Sequence, residues 1–168
     1  KIDQINNKKK LKYNPKSKIS IPSFLPNGLI NKFTAKLFNF AWYRKYPKIR
    51  TKEIQTVSKF FHPLDGLKNW NRIYGKKGFI SYQCSVPYKD AYKSIYEILI
   101  TMKKYQAYSF VSVLKSMKKK DFPLSFGQNG FTLVFDFPIY KNIFKILDKI
   151  DDVVLRYGGK IYLSKDSS

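Results

Sequence analysis

Between residues 79 and 164, strand and helix signals follow one another in a fixed order, which strongly constrains the fold. Period-two runs rich in β-branched and aromatic residues predict strands over 79–86, 108–117, 131–137 and 160–164. A helix opened by Pro87 is predicted to run to about Lys104, and a second helix follows Pro138 and ends at Gly158 and Gly159. The predicted order is therefore β-α-β-β-α-β.

This order is that of the ferredoxin-like split βαβ motif, so we predict an α+β fold with an antiparallel sheet and both helices on one face. The residues expected on the helix side are Ile80, Tyr82, Cys84, Val86, Phe110, Leu114, Phe131, Leu133 and Phe135, facing an apolar helix stripe of Ala91, Ile95, Ile98, Leu99 and Met102. The residues expected on the opposite, open face are Ser81, Gln83, Ser85, Val113, Lys115, Thr132, Val134 and Asp136. That half-polar face could bind a ligand, and ordinary solvation of an outer sheet face explains it equally well.

The N-terminal part of the chain has a different character. Residues 1–27 are rich in Lys, Asn, Ser and Pro, which predicts an irregular connector. A helical period over 28–45, with Leu29, Phe33, Leu37, Phe40 and Ala41 on one stripe, predicts a helix that ends before Pro47. A strand is predicted over 53–61, followed by a turn at 62–65 and a short helix carrying Leu67, Trp70 and Ile73.

The chain is strongly basic, with 33 Lys and Arg against 11 Asp and Glu and a formal charge of +22. An anionic partner and a solvated Lys-rich surface both explain this charge. Because 43% of the 168 residues are hydrophobic, a disordered basic tail is excluded. The single cysteine excludes a disulfide framework, and neither a signal peptide nor an apolar run of membrane-spanning length is visible. The sequence opens on Lys1, so we expect a fragment to which these absences apply.

The residues themselves argue against nucleic-acid binding and against a self-sufficient active site. Phe131 and Phe135 superficially resemble the stacking aromatics of RNA-recognition domains, but their phase turns them away from the open face. His62 is the only histidine, and no glycine-rich phosphate loop is present. An enzyme role would therefore depend on a cofactor or on another domain.

Several ordered motifs resemble one family. They are Phe61-His62-Pro63-Leu64-Asp65, Trp70-Asn71-Arg72-Ile73-Tyr74-Gly75, Gly78-Phe79 and Tyr82-Gln83, flanked by Pro26-Asn27-Gly28-Leu29, Trp42-Tyr43-Arg44-Lys45, Pro123-Leu124-Ser125-Phe126, Asp136-Phe137-Pro138-Ile139 and Lys165-Asp166-Ser167. Together they resemble the substrate domain of FAD-linked sugar oxidases of the vanillyl-alcohol-oxidase type. The likeness spans nearly the whole chain.

The resemblance implies a domain organisation and a reaction. Residues 1–50 would be a connector and helix leading from a missing FAD-binding domain, and residues 51–168 a substrate-binding (cap) domain whose C-terminal remainder is missing. The intact enzyme would use FAD to oxidise the C2 hydroxyl of a polyprenyl-phosphoribose to the 2-keto sugar, and this fragment alone would be inactive. A partner short-chain reductase would complete an epimerisation toward the arabinose precursor of a bacterial cell envelope. The enzyme would be cytoplasmic or peripherally associated with the membrane, whose anionic surface suits the lysines.

The resemblance also implies residue roles at matching positions. Lys165 matches a lysine beside the flavin and would be both catalytic and cofactor-binding, steadying the alkoxide or taking the hydroxyl proton. Lys115 matches a pocket lysine suited to a phosphate or polar head group. The other positions expected to bind substrate are Tyr43, Gln83, Val111, Val113, Met117, Thr132 and Val134. Ser81, Thr132 and Val134 depart from the family pattern, which leaves the sugar and the lipid chain open. An aldonolactone-type sugar oxidase and a basic RNA-binding module remain alternatives.

Overall fold

The structure is a computed structural model that describes residues 19–45, 66–119 and 125–165. The strand predicted over 53–61, the turn at 62–65 and the helix end at Pro47 lie outside these ranges. In chain order the elements are β1 (Ile19–Ser20), α1 (Lys32–Lys45), β2 (Leu67–Lys68), a 3-10 helix (Trp70–Tyr74), β3 (Phe79–Pro87), a 3-10 turn (Tyr88–Asp90), α2 (Ala91–Lys104), β4 (Val111–Met117), β5 (Gly130–Pro138), α3 (Ile143–Arg156) and β6 (Lys160–Ile161).

The sheet confirms the predicted ferredoxin-like α+β fold. Its strand order is β4-β5-β3-β6, and every neighbouring pair is antiparallel. Each βαβ unit places its two strands apart, with a strand of the other unit between them, as the split motif requires. Both helices contact β3 or β6 and each other, so they form one layer over the sheet.

The hydrophobic core lies between the helix layer and the sheet. Helix α3 supplies six buried residues at helical spacing: Ile143, Ile146, Leu147, Ile150, Val153 and Val154. In α2 the stripe is rotated from the predicted one, because Leu99 is 47% exposed and Ser94 is buried. The Ser94 hydroxyl donates to the Asp90 carbonyl at 2.8 Å, so a small polar side chain is buried without an unmet hydrogen bond.

The outer strand β4 is covered less than expected. Leu114 is in register with Leu133, which confirms that it faces the helix side, yet it is 56% exposed. The reason is position, since β4 is the edge strand and the helices lie over β3 and β6. Phe110, also expected under the helices, packs instead against Phe38 of α1, with 4.7 Å between ring centroids.

The N-terminal segments are tied to the domain through residues 66–77. Strand β1, in a region expected to be irregular, pairs in parallel with β2, so Leu67 lies in a strand and not in the predicted short helix. Arg72 donates to the Ile21 carbonyl at 3.1 Å, and the Lys76 amide donates to the Asn27 side chain at 2.8 Å. These bonds hold the connector against the domain.

Helix α1 begins later than predicted and buries no residue. Asn31 caps it, because its side-chain oxygen accepts from the amides of Phe33 at 2.9 Å and Thr34 at 3.1 Å. The predicted stripe residues Phe33, Leu37 and Phe40 are all exposed. Among the described residues, no helix is long and apolar enough to cross a membrane.

Candidate functional site

The face of the sheet opposite the helices consists of three rows, each with one residue from β4, β5 and β3. We name them the aspartate row (Val111, Asp136, Ser81), the valine row (Val113, Val134, Gln83) and the lysine row (Lys115, Thr132, Ser85). Residues in register share a face of the sheet. The residues predicted on the open face are therefore confirmed to lie on the same side of the sheet and next to one another.

Four of the six polar residues of this face are buried, so ordinary solvation does not describe it. Ser85 and Thr132, in the lysine row, are 0% and 3% exposed, and Ser81 and Asp136 in the aspartate row are also buried. The side chains of Val113, Val134 and Gln83 are half-buried, and that of Lys115 is exposed. The valine row and Lys115 thus form the accessible part of the face.

A hydrogen-bond network fixes the polar side chains around the valine row. The Thr132 hydroxyl donates to the backbone carbonyl of Cys84 at 2.9 Å and accepts from the side-chain amide nitrogen of Gln83 at 3.2 Å. Because that nitrogen is held, the side-chain oxygen of Gln83 is oriented to accept a hydrogen bond from a ligand hydroxyl. Gln83 and Thr132 therefore act as one preorganised polar unit.

A wall formed by residues 125–128 and by the chain after β6 stands beside the lysine row. Gln128 donates to the Ser85 hydroxyl at 2.9 Å, and the Lys160 ammonium donates to the Ser125 carbonyl at 2.9 Å. The rings of Phe126 and Tyr162 pack with 4.9 Å between centroids. The sequence did not identify Gln128 as a site residue, because the irregular segment 125–128 has no period that places it over the sheet. It assigned Lys160 to the last strand but gave no sign of its bond to this segment.

Lys165 lies at the end of this wall. The backbone amide of Tyr162 donates to the backbone carbonyl of Gln83 at 2.9 Å, which joins the chain after β6 to the valine row. The Lys165 amide then donates to the Tyr162 carbonyl at 3.3 Å in a turn, and the Lys165 side chain is half-buried. Within the described residues its ammonium has no carboxylate partner. A cationic donor is thus available at the margin of the face.

The opposite end of the face is covered by aromatic residues. Tyr74 is buried and packs against Phe79 and Trp70, with centroid distances of 4.7 and 6.2 Å. Burial raises the pKa of the Tyr74 hydroxyl well above its usual range, and the nearby Asp136 carboxyl raises it further. Tyr74 is therefore a neutral, fixed cover beside the aspartate row.

The predicted site residues fall into two groups. The structure brings Gln83, Lys115, Val113, Thr132 and Val134 together in adjacent rows. Val111 lies in the next row, and Met117 is half-buried at the far end of β4 opposite Gly130. Tyr43 lies apart from these rows, near the end of α1, and is 73% exposed.

The chemistry of the face excludes some reactive groups. Cys84 points into the core as predicted, and burial raises the pKa of its thiol to about 12, so it is protonated at neutral pH. In residues 19–45, 66–119 and 125–165, no cluster of His, Cys, Asp or Glu could hold a metal ion. Phe135, a candidate stacking ring, is buried on the helix side. The face presents hydrogen-bonding groups, valines and lysine charges.

These features define a class of domain, an α+β fold with a half-polar sheet face opposite its helices and with ordered motifs that resemble those of FAD-linked sugar oxidases. Over 171 aligned residues, covering 99% of this chain, the sequence is 37% identical to the decaprenylphosphoryl-beta-D-ribose oxidase of Mycolicibacterium smegmatis (strain ATCC 700084 / mc(2)155). No family model matches the chain. The chain spans about 37% of the length of that relative. The chain is thus homologous to part of an oxidase, which confirms the resemblance seen in its motifs.

Proposed function

We propose that this chain is the substrate domain of an FAD-dependent oxidoreductase that oxidises the C2 hydroxyl of a polyprenyl-phosphoribose to the 2-keto sugar. The observation that carries the proposal is the 37% identity to an oxidase of that name over nearly the whole chain. The lysine and valine rows support it, since they combine a cation, a fixed amide and apolar side chains on one face. An enzyme built this way would serve a cell-envelope arabinose pathway together with a partner reductase, at or near a membrane surface.

The residues present fit a flavin partner at one margin of the face. Lys165 offers an ammonium without a carboxylate partner in the described part of the chain, three residues after the Tyr162 amide that bonds to Gln83. Such a donor suits the electron-rich edge of a flavin and an oxygen that loses its proton. When bound, FAD would supply the acceptor for the hydride from C2.

Each side chain of the face would have a separate role toward the sugar. Lys165 would donate to the C2 oxygen and stabilise its negative charge while the hydroxyl proton passes to water. Gln83, held by Thr132, would accept from a sugar hydroxyl and fix the orientation of the ring. Lys115 would pair with the phosphate, and Val113 and Val134 would contact the apolar face of the sugar.

Anaerobic flavin reduction by a polyprenyl-phosphoribose, in the complete enzyme containing this chain, tests the proposal. We expect Lys165→Ala to slow single-turnover flavin reduction about 100-fold, the lower end for a group that assists proton transfer. We expect Lys115→Ala to raise the substrate concentration for half-maximal rate roughly tenfold, since a hydrogen bond to a charged group contributes about 1.5 kcal/mol or more.

The matched control is Lys103→Ala, which removes an exposed lysine from the end of α2, in the helix layer on the other side of the sheet. Unchanged kinetics in both Lys115 and Lys165 variants would refute the residue roles. Equal flavin reduction by a sugar lactone that lacks phosphate and lipid would favour the aldonolactone-type alternative.

A further inference from the structure

The wall beside the lysine row crosses the open face of the sheet from one edge to the other. A Cβ added at Gly127 would lie 3.8 Å from the Met117 side chain and 3.3 Å from the Lys118 carbonyl, so the wall passes beside the end of β4. At the opposite edge the Lys160 ammonium of β6 donates to the Ser125 carbonyl at 2.9 Å. The wall therefore closes the face at the lysine row, and the valine row is the accessible strip beside it.

Gln128 reaches from this wall to a buried hydroxyl of the lysine row. Its side-chain amide nitrogen donates to the Ser85 hydroxyl at 2.9 Å, and Ser85 is fully buried. In the described part of the chain no group donates to the side-chain oxygen of Gln128, and the side chain is half-buried. An amide held through its nitrogen presents its oxygen in a defined direction, as an acceptor for a ligand hydroxyl.

This arrangement repeats that of Gln83. The side-chain amide nitrogen of Gln83 donates to the hydroxyl of Thr132, which is also buried. Ser85 and Thr132 are directly paired residues of β3 and β5, so their Cβ atoms are about 5 Å apart. The face thus carries two glutamine amides anchored on neighbouring buried hydroxyls, which supply two acceptors to one polyhydroxylated ligand.

The distances from Lys115 assign a different part of a sugar phosphate to each amide. Lys115 on β4 is in register with Thr132 on β5, which is in register with Ser85 on β3. At about 4.8 Å between neighbouring strands, the anchor of Gln83 is about 5 Å from Lys115 and that of Gln128 roughly 10 Å. In a ribose with its phosphate on C1, the C5 hydroxyl is the hydroxyl farthest from the phosphate, and the C3 hydroxyl is nearer. The strand order therefore matches Gln83 to C3 and Gln128 to C5.

We propose that Gln128 is a specificity-determining residue that accepts a hydrogen bond from the C5 hydroxyl of the sugar, while Gln83 accepts from the C3 hydroxyl. This inference rests on the proposed function, in which Lys115 holds the phosphate and Lys165 contacts the C2 oxygen. Two acceptors at different distances from the phosphate fix the ring in one orientation. The pair selects a pentose phosphate with free C3 and C5 hydroxyls and rejects one whose C5 oxygen is absent or carries no proton.

Kinetics of the complete enzyme with a prenyl-phosphoribose and its 5-deoxy and 3-deoxy analogues test the assignment. We expect Gln128→Leu to lower kcat/KM about five- to tenfold for the full substrate and the 3-deoxy analogue, and less than twofold for the 5-deoxy analogue. Gln83→Leu should give the reverse dependence on the two analogues. The matched control is Gln106→Leu, at an exposed position after α2, which should resemble the unmodified enzyme with all three substrates.

A binding measurement separates this inference from the proposed reaction. Calorimetry on the complete enzyme compares ribofuranosyl 1-phosphate with its 5-deoxy analogue, and Gln128→Leu should weaken binding only of the compound that has the C5 hydroxyl. An equal loss with both compounds, which a merely structural role of the wall would give, or no loss with either, would overturn the inference and leave the oxidase proposal intact. Hydroxyl-dependent binding in an enzyme that oxidises no prenyl-phosphoribose would overturn the proposed reaction alone.

Discussion

Replacing Tyr82 by Phe removes a single oxygen atom from the core and should destabilise the fold in a pH-dependent way. Tyr82 is fully buried, and its hydroxyl donates to the Asp151 carboxylate of α3 at 2.7 Å. A hydrogen bond to a charged group contributes about 1.5–3 kcal/mol, and one to a neutral group about 0.5–1.5 kcal/mol. Because Asp151 is only half-buried and solvent screens it, the lower ends apply: about 1.5 kcal/mol at pH 7 and about 0.5 kcal/mol near pH 4.

The causes of the Asp151 pKa shift determine whether stability rises or falls with pH. Burial raises the pKa of the Asp151 carboxyl, and the Tyr82 hydrogen bond offsets part of that increase. A raised carboxyl pKa means that the folded state binds the proton more tightly, so stability falls as the pH rises between the unfolded and folded values. Removing the Tyr82 hydroxyl raises this pKa further and deepens the loss at neutral pH.

Urea unfolding of this chain at pH 7 and pH 4 measures the effect. The matched control is Tyr157→Phe, which removes a hydroxyl that donates at 2.8 Å from the C-cap of α3 to the half-buried Glu97 carboxylate of α2, which the Arg156 guanidinium also contacts. The Tyr157→Phe variant should lose less stability than Tyr82→Phe at pH 7, because solvent screens the Glu97 carboxylate. A Tyr82→Phe penalty that is the same at both pH values, or no larger than the control, would refute the assigned coupling.

Two further predictions concern packing. Ile98→Ala should cost about 2–5 kcal/mol in the free energy of unfolding, because Ile98 is fully buried, and the neighbouring Leu99→Ala should cost under half of that; similar losses in urea titrations would contradict the observed face of α2. Gly130→Ala should destabilise by about 3 kcal/mol or more, because a Cβ there would overlap the Val86 carbonyl of the paired strand. Gly66→Ala, with open space around its Cα, is the control, and equal melting temperatures for the two variants would contradict that reasoning.

The sequence predicted the order of the strands and α3 well because each has a single period, but β4 begins at Val111 and not at residue 108, and β6 ends at Ile161 and not at residue 164. The six apolar residues of α3 share one stripe, and the strands alternate cleanly, so the rows of the open face follow from pairing. In α2, apolar residues occupy more than one side, and only packing decides that Leu99 faces solvent while Ser94 is buried. For α1 the period is real but buries nothing in the described structure, since periodicity reports a face and not its partner.

The sequence predicted which residues share the open face of the sheet, but not which of them are buried. The alternation of residues along each strand is enough to assign Gln83, Lys115, Thr132 and Val134 to the same side of the sheet. Ser85 is hydrogen-bonded by Gln128 of the segment 125–128, and the Lys160 side chain of β6 holds the same segment at the Ser125 carbonyl. The segment 125–128 has no regular period, so only the three-dimensional structure reveals the wall.

The row arrangement also determines how this surface can change. Each row takes one residue from each of three strands, so residues far apart in the chain, such as Lys115 and Thr132, are immediate neighbours. A substitution at one of them alters the environment of its row partner before it affects the other rows. Mutational effects should therefore be non-additive within a row and nearly additive between the outer rows. An attempt to redesign the ligand preference should exchange whole rows, starting with Val113, Val134 and Gln83, and not single positions.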